Sequence, residues 1–213
     1  MGKLAPDYPV FTGHSAAVID TAFNPFNDHI VASAGEDGKV LIWQIPEGKF
    51  FLENRVSTHE RLMGMTGGPT ENQDTPSVTL NYHNRKCGHV LFHPTAENVV
   101  LSTGADLLVK LYDIEKGAEK LNIAVHGDVI NSVAFNWEGN LIATTSKDKK
   151  LRVIDVRSGK VTQQVNAHTG VKGARVLWLG NKDRLITTGF SKTSDRQVCY
   201  FSFSIVTCHR RTC

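Results

Sequence analysis

Histidine, serine and aspartate occur in this chain at spacings that could bring their side chains together. His14, Ser33 and Asp37 are the residue types of a nucleophilic catalytic triad, in which aspartate orients the histidine that activates serine. Histidine is also a common metal ligand. A third possibility is a structural hydrogen-bond relay. In that relay Asp37 accepts from one nitrogen of His14, the other nitrogen bonds the Ser33 hydroxyl, and the hydroxyl reaches the indole N–H of Trp43.

Repetition of these residue types favours the structural relay. A shift of 69 positions places His14 on His83 and runs without a gap through Tyr112. One active site or one metal needs a single set of side chains, whereas a repeated structural unit needs a set in every copy. The predicted relay comprises His14, Ser33, Asp37 and Trp43 in the first copy, His83, Ser102, Asp106 and Tyr112 in the second, and His126, Thr144 and Asp148 in the third, where Ile154 replaces the aromatic residue.

The elements that would position these side chains follow from the same repeat. A self-similar unit of about 40–45 residues, built from short strands and tight turns, is typical of a propeller blade. In the first copy, residues 17–23, 30–34 and 40–44 are rich in β-branched and aromatic residues, and 35–38 have hairpin-turn chemistry. We therefore predict an all-β WD-repeat propeller. A fourth, less regular copy begins at His168 and passes through Trp178, Thr188, Asp195 and Phe201.

The repeats also predict boundaries along the chain. Residues 1–213 are interpreted as a partial propeller with about four blades, at approximately 10–52, 78–121, 122–165 and 166–206. Residues 53–77 lack periodicity, which predicts an extended surface loop, and residues 207–213 resemble neither a strand nor a cap. The first blade is expected to end in a strand near 50–52, whereas the fourth runs out before its last strand. Unpaired strand edges in such an array would favour association in solution.

Composition is that of an ordinary globular protein, with 40% hydrophobic and 21% charged residues. No apolar run is long enough to span a bilayer, and the N-terminus has no secretory signal pattern. The four cysteines do not form a disulfide framework, which favours a reducing, cytoplasmic setting. A zinc site from Cys199, Cys208, His209 and Cys213 is conceivable, but the spacing matches no standard knuckle, so we predict no metal and no cofactor.

Charge is distributed unevenly between the two parts of the chain. Residues 1–140 hold 10 Lys and Arg against 17 Asp and Glu, net −7, whereas residues 141–213 hold 14 against 4, net +10. A basic region favours an acidic protein surface or an anionic lipid as partner. Nucleic acid is a weaker choice, because no RNA-binding aromatic motif accompanies the charge. Solvated lysines on hairpin turns are the alternative explanation.

Several longer strings resemble the first blades of coronins. Residues 8–14 (Tyr-Pro-Val-Phe-Thr-Gly-His), 35–37 (Gly-Glu-Asp), 40–47 (Val-Leu-Ile-Trp-Gln-Ile-Pro-Glu), 93–99 (His-Pro-Thr-Ala-Glu-Asn-Val) and 187–191 (Thr-Thr-Gly-Phe-Ser) carry this resemblance, which covers roughly residues 2–198. It implies a non-enzymatic, cytoplasmic protein of the actin cytoskeleton. It also implies a seven-bladed, filament-binding propeller followed by a coiled coil that oligomerises. The chain is accordingly interpreted as the N-terminal part of such a propeller, truncated at both ends and without the coiled coil.

The resemblance makes actin filaments the first expected partner, with other cytoskeletal proteins or anionic lipid as further possibilities. The candidate actin-contact patch is Lys147, Lys149, Lys150, Arg152, Lys182, Arg184, Lys192 and Arg196. One alternative is an interaction module that binds phosphoinositide or another protein through the basic second half, and another is a fragment without function. An enzyme would need convergent carboxylates or a nucleophile beside a base. Asp20, Asp128 and His126 come nearest to that requirement, but the position of His126 in the repeat already explains it. Since no Gly-rich phosphate loop, nucleophile elbow or metal-ligand cluster stands out in the sequence, we predict no enzyme.

Overall fold

The strands are short because β-branched and aromatic runs alternate with Gly-, Asp- and Asn-containing turns. The computed structural model describes residues 10–45, 72–182 and 184–202, and the backbone of 205–212. The first two sheets contain β1 (Val18–Phe23), β2 (Ile30–Gly35), β3 (Val40–Gln44) and β4 (Val78–Leu80), then β5 (Cys87–Phe92), β6 (Val99–Gly104), β7 (Val109–Asp113) and β8 (Ala118–Ile123). The last two contain β9 (Ile130–Phe135), β10 (Leu141–Ser146), β11 (Lys150–Asp155) and β12 (Val161–Asn166), then β13 (Arg175–Trp178), β14 (Arg184–Phe190), β15 (Arg196–Ser202) and β16 (Ile205–Thr212).

Each sheet is an antiparallel meander of four strands in chain order. The first strands of neighbouring sheets pack side by side, β1 on β5, β5 on β9 and β9 on β13, so the sheets are arranged as blades of a propeller. Because strand direction alternates, the turn between the second and third strand of every blade lies at the same end as the link that enters the first strand. We call this end the hairpin face and the other end the opposite face.

The core lies between the blades. Ala32, Val40 and Ile42 of the first blade pack against Val90 and Tyr112 of the second. Similar apolar clusters join the second blade to the third and the third to the fourth. Within β7, Val109 and Leu111 face the third blade, whereas Tyr112 faces the first, as the two-residue period of a strand requires. The middle strands are therefore buried on both faces.

A left-handed residue closes the hairpin turn in each of the first three blades. Gly38, Leu107 and Lys149 follow the turn aspartate with φ of 78°, 70° and 69°. The carboxylate of that aspartate accepts the N–H two residues on, at 3.1 Å from Asp37 to Lys39, 3.3 Å from Asp106 to Leu108 and 3.0 Å from Asp148 to Lys150. This arrangement is an Asx turn, and it fixes the aspartate on the hairpin face.

Two parts of the structure differ from the predicted boundaries. Val78–Leu80, placed at the start of the second blade, pairs with β3 and completes the first sheet, with Leu80 opposite Val40 and buried. A sequence repeat can begin on the outer strand of the preceding blade, because the sheet needs only hydrogen-bonding partners and not sequence proximity. At the other end, residues 207–212, predicted to form no strand, belong to β16, whose backbone pairs with β15 and gives the fourth blade a fourth strand.

The predicted surface loop at 53–77 is described only from residue 72. Gln73 pairs with Phe11 in an isolated parallel bridge, and the Thr12 N–H donates to the Gln73 carbonyl at 2.9 Å. Thr12 also donates its hydroxyl hydrogen to Asp74. The end of this segment is thus attached to the strand that leads to His14. The strand expected near 50–52 and the rest of the loop lie outside the described residues. No helix in the described part of the chain has the length and apolar character to span a bilayer.

Candidate functional site: the hairpin face

The first blade contains a continuous chain of hydrogen bonds. Trp43 Nε1 donates to Ser33 Oγ at 2.8 Å, and Ser33 Oγ lies 2.8 Å from His14 Nε2. His14 Nδ1 in turn lies 3.0 Å from Asp37 Oδ1, which assigns the Nδ1–H tautomer to the histidine. Burial alone would raise the pKa of Asp37, but N–H groups of Lys39 and Ser15 and the ring of His14 outweigh it and hold the pKa below its usual value. The chain of bonds ties the entry link, the turn and two strands together.

The second blade has the same arrangement with tyrosine in place of tryptophan. His83 Nδ1 lies 2.9 Å from Asp106 Oδ2, and His83 Nε2 lies 2.7 Å from Ser102 Oγ. Tyr112 Oη is 3.0 Å from the same serine oxygen. Burial lowers the pKa of His83 more than the Asp106 carboxylate raises it, so this histidine is neutral at physiological pH. Burial likewise raises the pKa of Tyr112, which keeps its hydroxyl protonated.

The third blade departs from the pattern at its aspartate. His126 Nε2 lies 2.9 Å from Thr144 Oγ1, but His126 Nδ1 has no hydrogen-bond partner among the described residues. Asp148 pairs instead with Arg152, whose Nη2 lies 2.6 Å from Asp148 Oδ2. The predicted link from Asp148 to His126 is therefore not formed, because a buried guanidinium attracts the carboxylate more strongly than a neutral imidazole does. Burial lowers the pKa of His126 to about 4.

The fourth blade uses residues next to the predicted positions. His168 Nε2 lies 3.0 Å from Thr187 Oγ1, whereas the alignment placed Thr188 there. His168 Nδ1 lies 3.5 Å from Gln197 Oε1, and Asp195 accepts instead from Ser191 and Thr193 within its own turn. His168 and Thr187 keep the offset of 19 positions that separates His14 from Ser33 and His83 from Ser102. Thr188 is the next residue of β14, so its side chain lies on the other side of the strand, where it is exposed.

The relays offer little to a substrate. Ser33 is 5% exposed and Ser102 is fully buried behind its histidine, so a substrate cannot reach either hydroxyl and neither can act as a nucleophile. No group of three or more His, Cys, Asp or Glu side chains in the described part of the chain could hold a metal ion. The hypothetical zinc cluster falls mostly outside that part, since only Cys199 of its members has a described side chain, and it is buried.

The structure divides the candidate actin-contact patch between the two faces. Lys147 and Lys149 lie in the β10–β11 turn and Lys150 follows it, so all three are on the hairpin face, as are Lys192 and Arg196 at the β14–β15 turn. Lys182 and Arg184 belong to the β13–β14 turn on the opposite face, where the Arg184 guanidinium lies 5.8 Å from the centroid of the Tyr200 ring. The patch is therefore not one surface.

Arg152 does not belong to the surface at all. It is 3% exposed and donates to Ser146 Oγ at 3.0 Å, to Gln164 Oε1 at 3.0 Å and to Asp148. A polar residue between Leu151 and Val153 would point to solvent in a sheet with one buried face. Because both faces of β11 are covered by neighbouring blades, its side chain is enclosed instead, and it acts as the partner of Asp148.

One lysine of the hairpin face is absent from the predicted patch. Lys172, in the link between β12 and β13, lines the same cleft as Lys147, Lys149 and Lys150, and its ammonium lies 4.8 Å from the centroid of the Phe190 ring. This residue could have been found by noting that the link into one blade and the turn of the preceding blade share a face. Lys147, Lys149 and Lys172 are exposed, and Lys150 is partly buried.

The repeat and the sheet arrangement define a class of protein, the WD-repeat β-propellers. A family model described as "WD domain, G-beta repeat" matches residues 7–44 and 119–155. The chain aligns over 95% of its length with 49% of a solved WD40 domain of Toxoplasma gondii coronin, with a TM-score of 0.83 and 27% identity. Both findings agree with the predicted all-β propeller of about four blades.

Curated relatives identify the family within this class. The chain is 46% identical over 198 residues to a coronin-like protein of Saccharomyces cerevisiae, which covers 93% of this chain and 29% of that protein. It is 41% identical over 190 residues to Coronin-A of Dictyostelium discoideum, with coverage of 89% and 38%. The chain belongs to the coronin family, and it spans less than two fifths of the length of these relatives.

Proposed function

We propose that the chain is a non-enzymatic, actin-filament-binding scaffold of coronin type that acts in the cytoplasmic actin cytoskeleton. The observation that carries this proposal is the similarity to coronins along almost the whole chain, 46% identity over 93% of its residues in one case. The relay hydroxyls of Ser33 and Ser102 are buried, which fits a structural role for the relays. Blades whose turns are held by hydrogen bonds can present a binding surface in a fixed geometry.

The proposed filament contact is the basic part of the hairpin face. It comprises Lys147, Lys149, Lys150, Lys192 and Arg196, the members of the predicted patch that share this face. Among the described side chains none of the five forms a salt bridge. Their charge is thus available to an acidic partner. An exposed contact of this kind weakens as salt shortens the Debye length, from about 10 Å at 0.1 M to about 3 Å at 1 M.

Co-sedimentation with actin filaments across a salt series tests the proposal. The variant Lys147→Glu/Lys150→Glu/Lys192→Glu should pellet less than the unaltered chain at 0.1 M salt, and the difference should vanish near 1 M. The matched control is Lys116→Glu/Lys160→Glu/Lys182→Glu, which makes the same charge change on the opposite face. Absence of pelleting by the unaltered chain at low salt would overturn filament binding. Equal loss in both variants would remove the hairpin face from the proposal.

A further inference from the structure

We propose that the cleft between the third and fourth blades on the hairpin face is a binding site for a small phosphate-bearing anion. The cleft is narrow and open to solvent, with room for about one water molecule (about 10 Å³), so an anion would sit at its mouth. It is lined by the four lysines Lys147, Lys149, Lys150 and Lys172. Its floor and walls are formed by the ends of β9 and β10 and by the link into β13. The lysines therefore surround the mouth of one cleft from two blades, which a set of lysines scattered over a convex surface would not do.

Most neutral polar side chains of the cleft are already engaged with the protein. Thr145 Oγ1 donates to the Ala174 carbonyl at 2.8 Å, and His168 Nε2 bonds Thr187 Oγ1 at 3.0 Å. Ser146 Oγ accepts from Arg152 at 3.0 Å and donates to Asp148. The side-chain donors left for a ligand among the described lining residues are the lysine ammonium groups and the amide of Asn131. The cleft thus offers almost only positive charge.

The carboxylate in the β10–β11 turn does not neutralise this charge. Asp148 lies in the same turn as Lys147 and Lys149, but its oxygens are held by Arg152, by Ser146 and by the backbone N–H of Lys150. No salt bridge among the described residues involves any of the four lysines. A concave wall of low dielectric constant around positive charges that no carboxylate neutralises raises the local electrostatic potential. It therefore also raises the local concentration of anions. Four ammonium groups suit the several negative charges of phosphate esters, since lysine binds phosphate as a point charge.

The backbone at Lys149 makes this residue a convenient point of substitution. Its φ of 69° lies in the left-handed region that favours glycine, and the equivalent residues are Gly38 in the first blade and Leu107 in the second, with φ of 78° and 70°. The same geometry makes Lys149→Gly a clean probe, because glycine removes the ammonium group and relieves the backbone.

Binding at this cleft does not depend on the proposed filament contact. It is measured on the chain alone, without actin, so failure of one proposal leaves the other standing. Lys147, Lys149 and Lys150 belong to both surfaces, however, and a bound phosphate anion would cover them. If both proposals hold, the anion competes with filaments.

Calorimetric titration of the 213-residue chain with inorganic pyrophosphate and with inositol 1,4,5-trisphosphate tests the site. The variant Lys149→Gly/Lys150→Gln/Lys172→Gln should bind at least about tenfold more weakly, because it removes three of the four ammonium groups that attract the anion. The control Lys116→Gln/Lys160→Gln/Lys182→Gln, with the same charge change on the opposite face, should bind as the unaltered chain does. Where the triple variant does not fold, Lys172→Gln alone replaces it, since this side chain is exposed and its ammonium group lies over the Phe190 ring.

Two further arms identify the source of the phosphate. Binding to vesicles that contain phosphatidylinositol 4,5-bisphosphate at least about tenfold tighter than to inositol 1,4,5-trisphosphate would assign the cleft to a lipid headgroup. Equal affinity for both would assign it to a free phosphate ligand. Either result supports the site. Absence of binding to all three probes at 0.1 M salt, or equal weakening in the hairpin-face and opposite-face variants, would overturn it.

Discussion

Arg152 Nη2 lies 2.6 Å from Asp148 Oδ2, and this ion pair takes the aspartate that the repeat pattern assigns to His126. Arg152 sits opposite Thr144 in the β10–β11 ladder, directly beneath the turn that carries Asp148. In the first two blades the corresponding ladder positions are Leu41 and Lys110, and there the turn aspartate bonds its histidine. One arginine on the middle strand is thus enough to replace a histidine relay by an ion pair.

Loss of the turn aspartate should destabilise the first blade. In Asp37→Ala, His14 Nδ1 loses its acceptor and the N–H groups of Ser15 and Lys39 lose theirs, so we expect a cost of about 1–3 kcal/mol in the free energy of unfolding. Urea unfolding followed by tryptophan fluorescence measures it. The control is Glu36→Ala in the same turn, an exposed side chain whose single ion pair, 3.9 Å to Lys86, is worth little. Equal stability of the two variants would show that the relay contributes nothing.

Breaking the ion pair of the third blade should cost more than breaking a relay. Asp148→Ala leaves the buried guanidinium of Arg152 without its carboxylate, and removal of one partner of a buried pair typically costs about 3–5 kcal/mol. The double variant Asp148→Ala/Arg152→Met should recover much of that loss, because methionine needs no partner. Chemical denaturation of the two single variants and the double variant measures the coupling. Additive losses would mean that the two residues act independently.

His126 should make the fold sensitive to mild acid. Its pKa is lowered to about 4 by burial, against about 6.5 in an unfolded chain, so the unfolded state binds the extra proton between these values. The free energy of unfolding should therefore fall as pH drops from about 6.5 to 4, by up to about 1.4 kcal/mol per pH unit from this group. His126→Gln removes this contribution, so the stability advantage of the unaltered chain over the variant should shrink with falling pH.

The remaining acid sensitivity of that variant belongs to other histidines. Burial also lowers the pKa values of His83, His89 and His93, so the variant should keep a shallower slope of the same sign. The lowered pKa of Asp148 acts in a different window, since its contribution is present above the ordinary aspartate pKa of about 4 and is lost only below it. Parallel stability curves for the two proteins between pH 7 and 4 would contradict the assignment to His126.

The Cys87 thiol should be inert in the native protein. It is fully buried between the first two blades, and burial raises its pKa to about 12, so almost no thiolate forms at pH 8. Labelling by iodoacetamide, followed by mass spectrometry of the peptide that contains Cys87, should proceed only as fast as the blades separate. Addition of urea below the unfolding midpoint should accelerate it. Complete labelling within minutes in native buffer would show that the interface between the first two blades opens freely.

The sequence by itself determined the blade and the contents of its first two relays. His14 and Asp37 are separated by 23 positions, as are His83 and Asp106, and that constant offset is a local property of one antiparallel meander. The turn chemistry, the hydroxyl on the second strand and the aromatic on the third are all set by neighbours in the same blade. The repeat pattern therefore predicts these residues without any information about contacts between blades.

Only the tertiary structure decided which partners meet across or between blades. Asp148 pairs with Arg152 because β11 is covered on both faces, so its polar side chain cannot reach solvent. Lys172 joins Lys147 because the link into one blade lies beside the turn of the previous blade, whereas Lys182 is carried to the opposite face by the reversal of β13. The sequence shows how many lysines the chain has and where they lie along it. Strand direction and blade packing decide which of them share a surface, since those depend on contacts between residues distant in sequence.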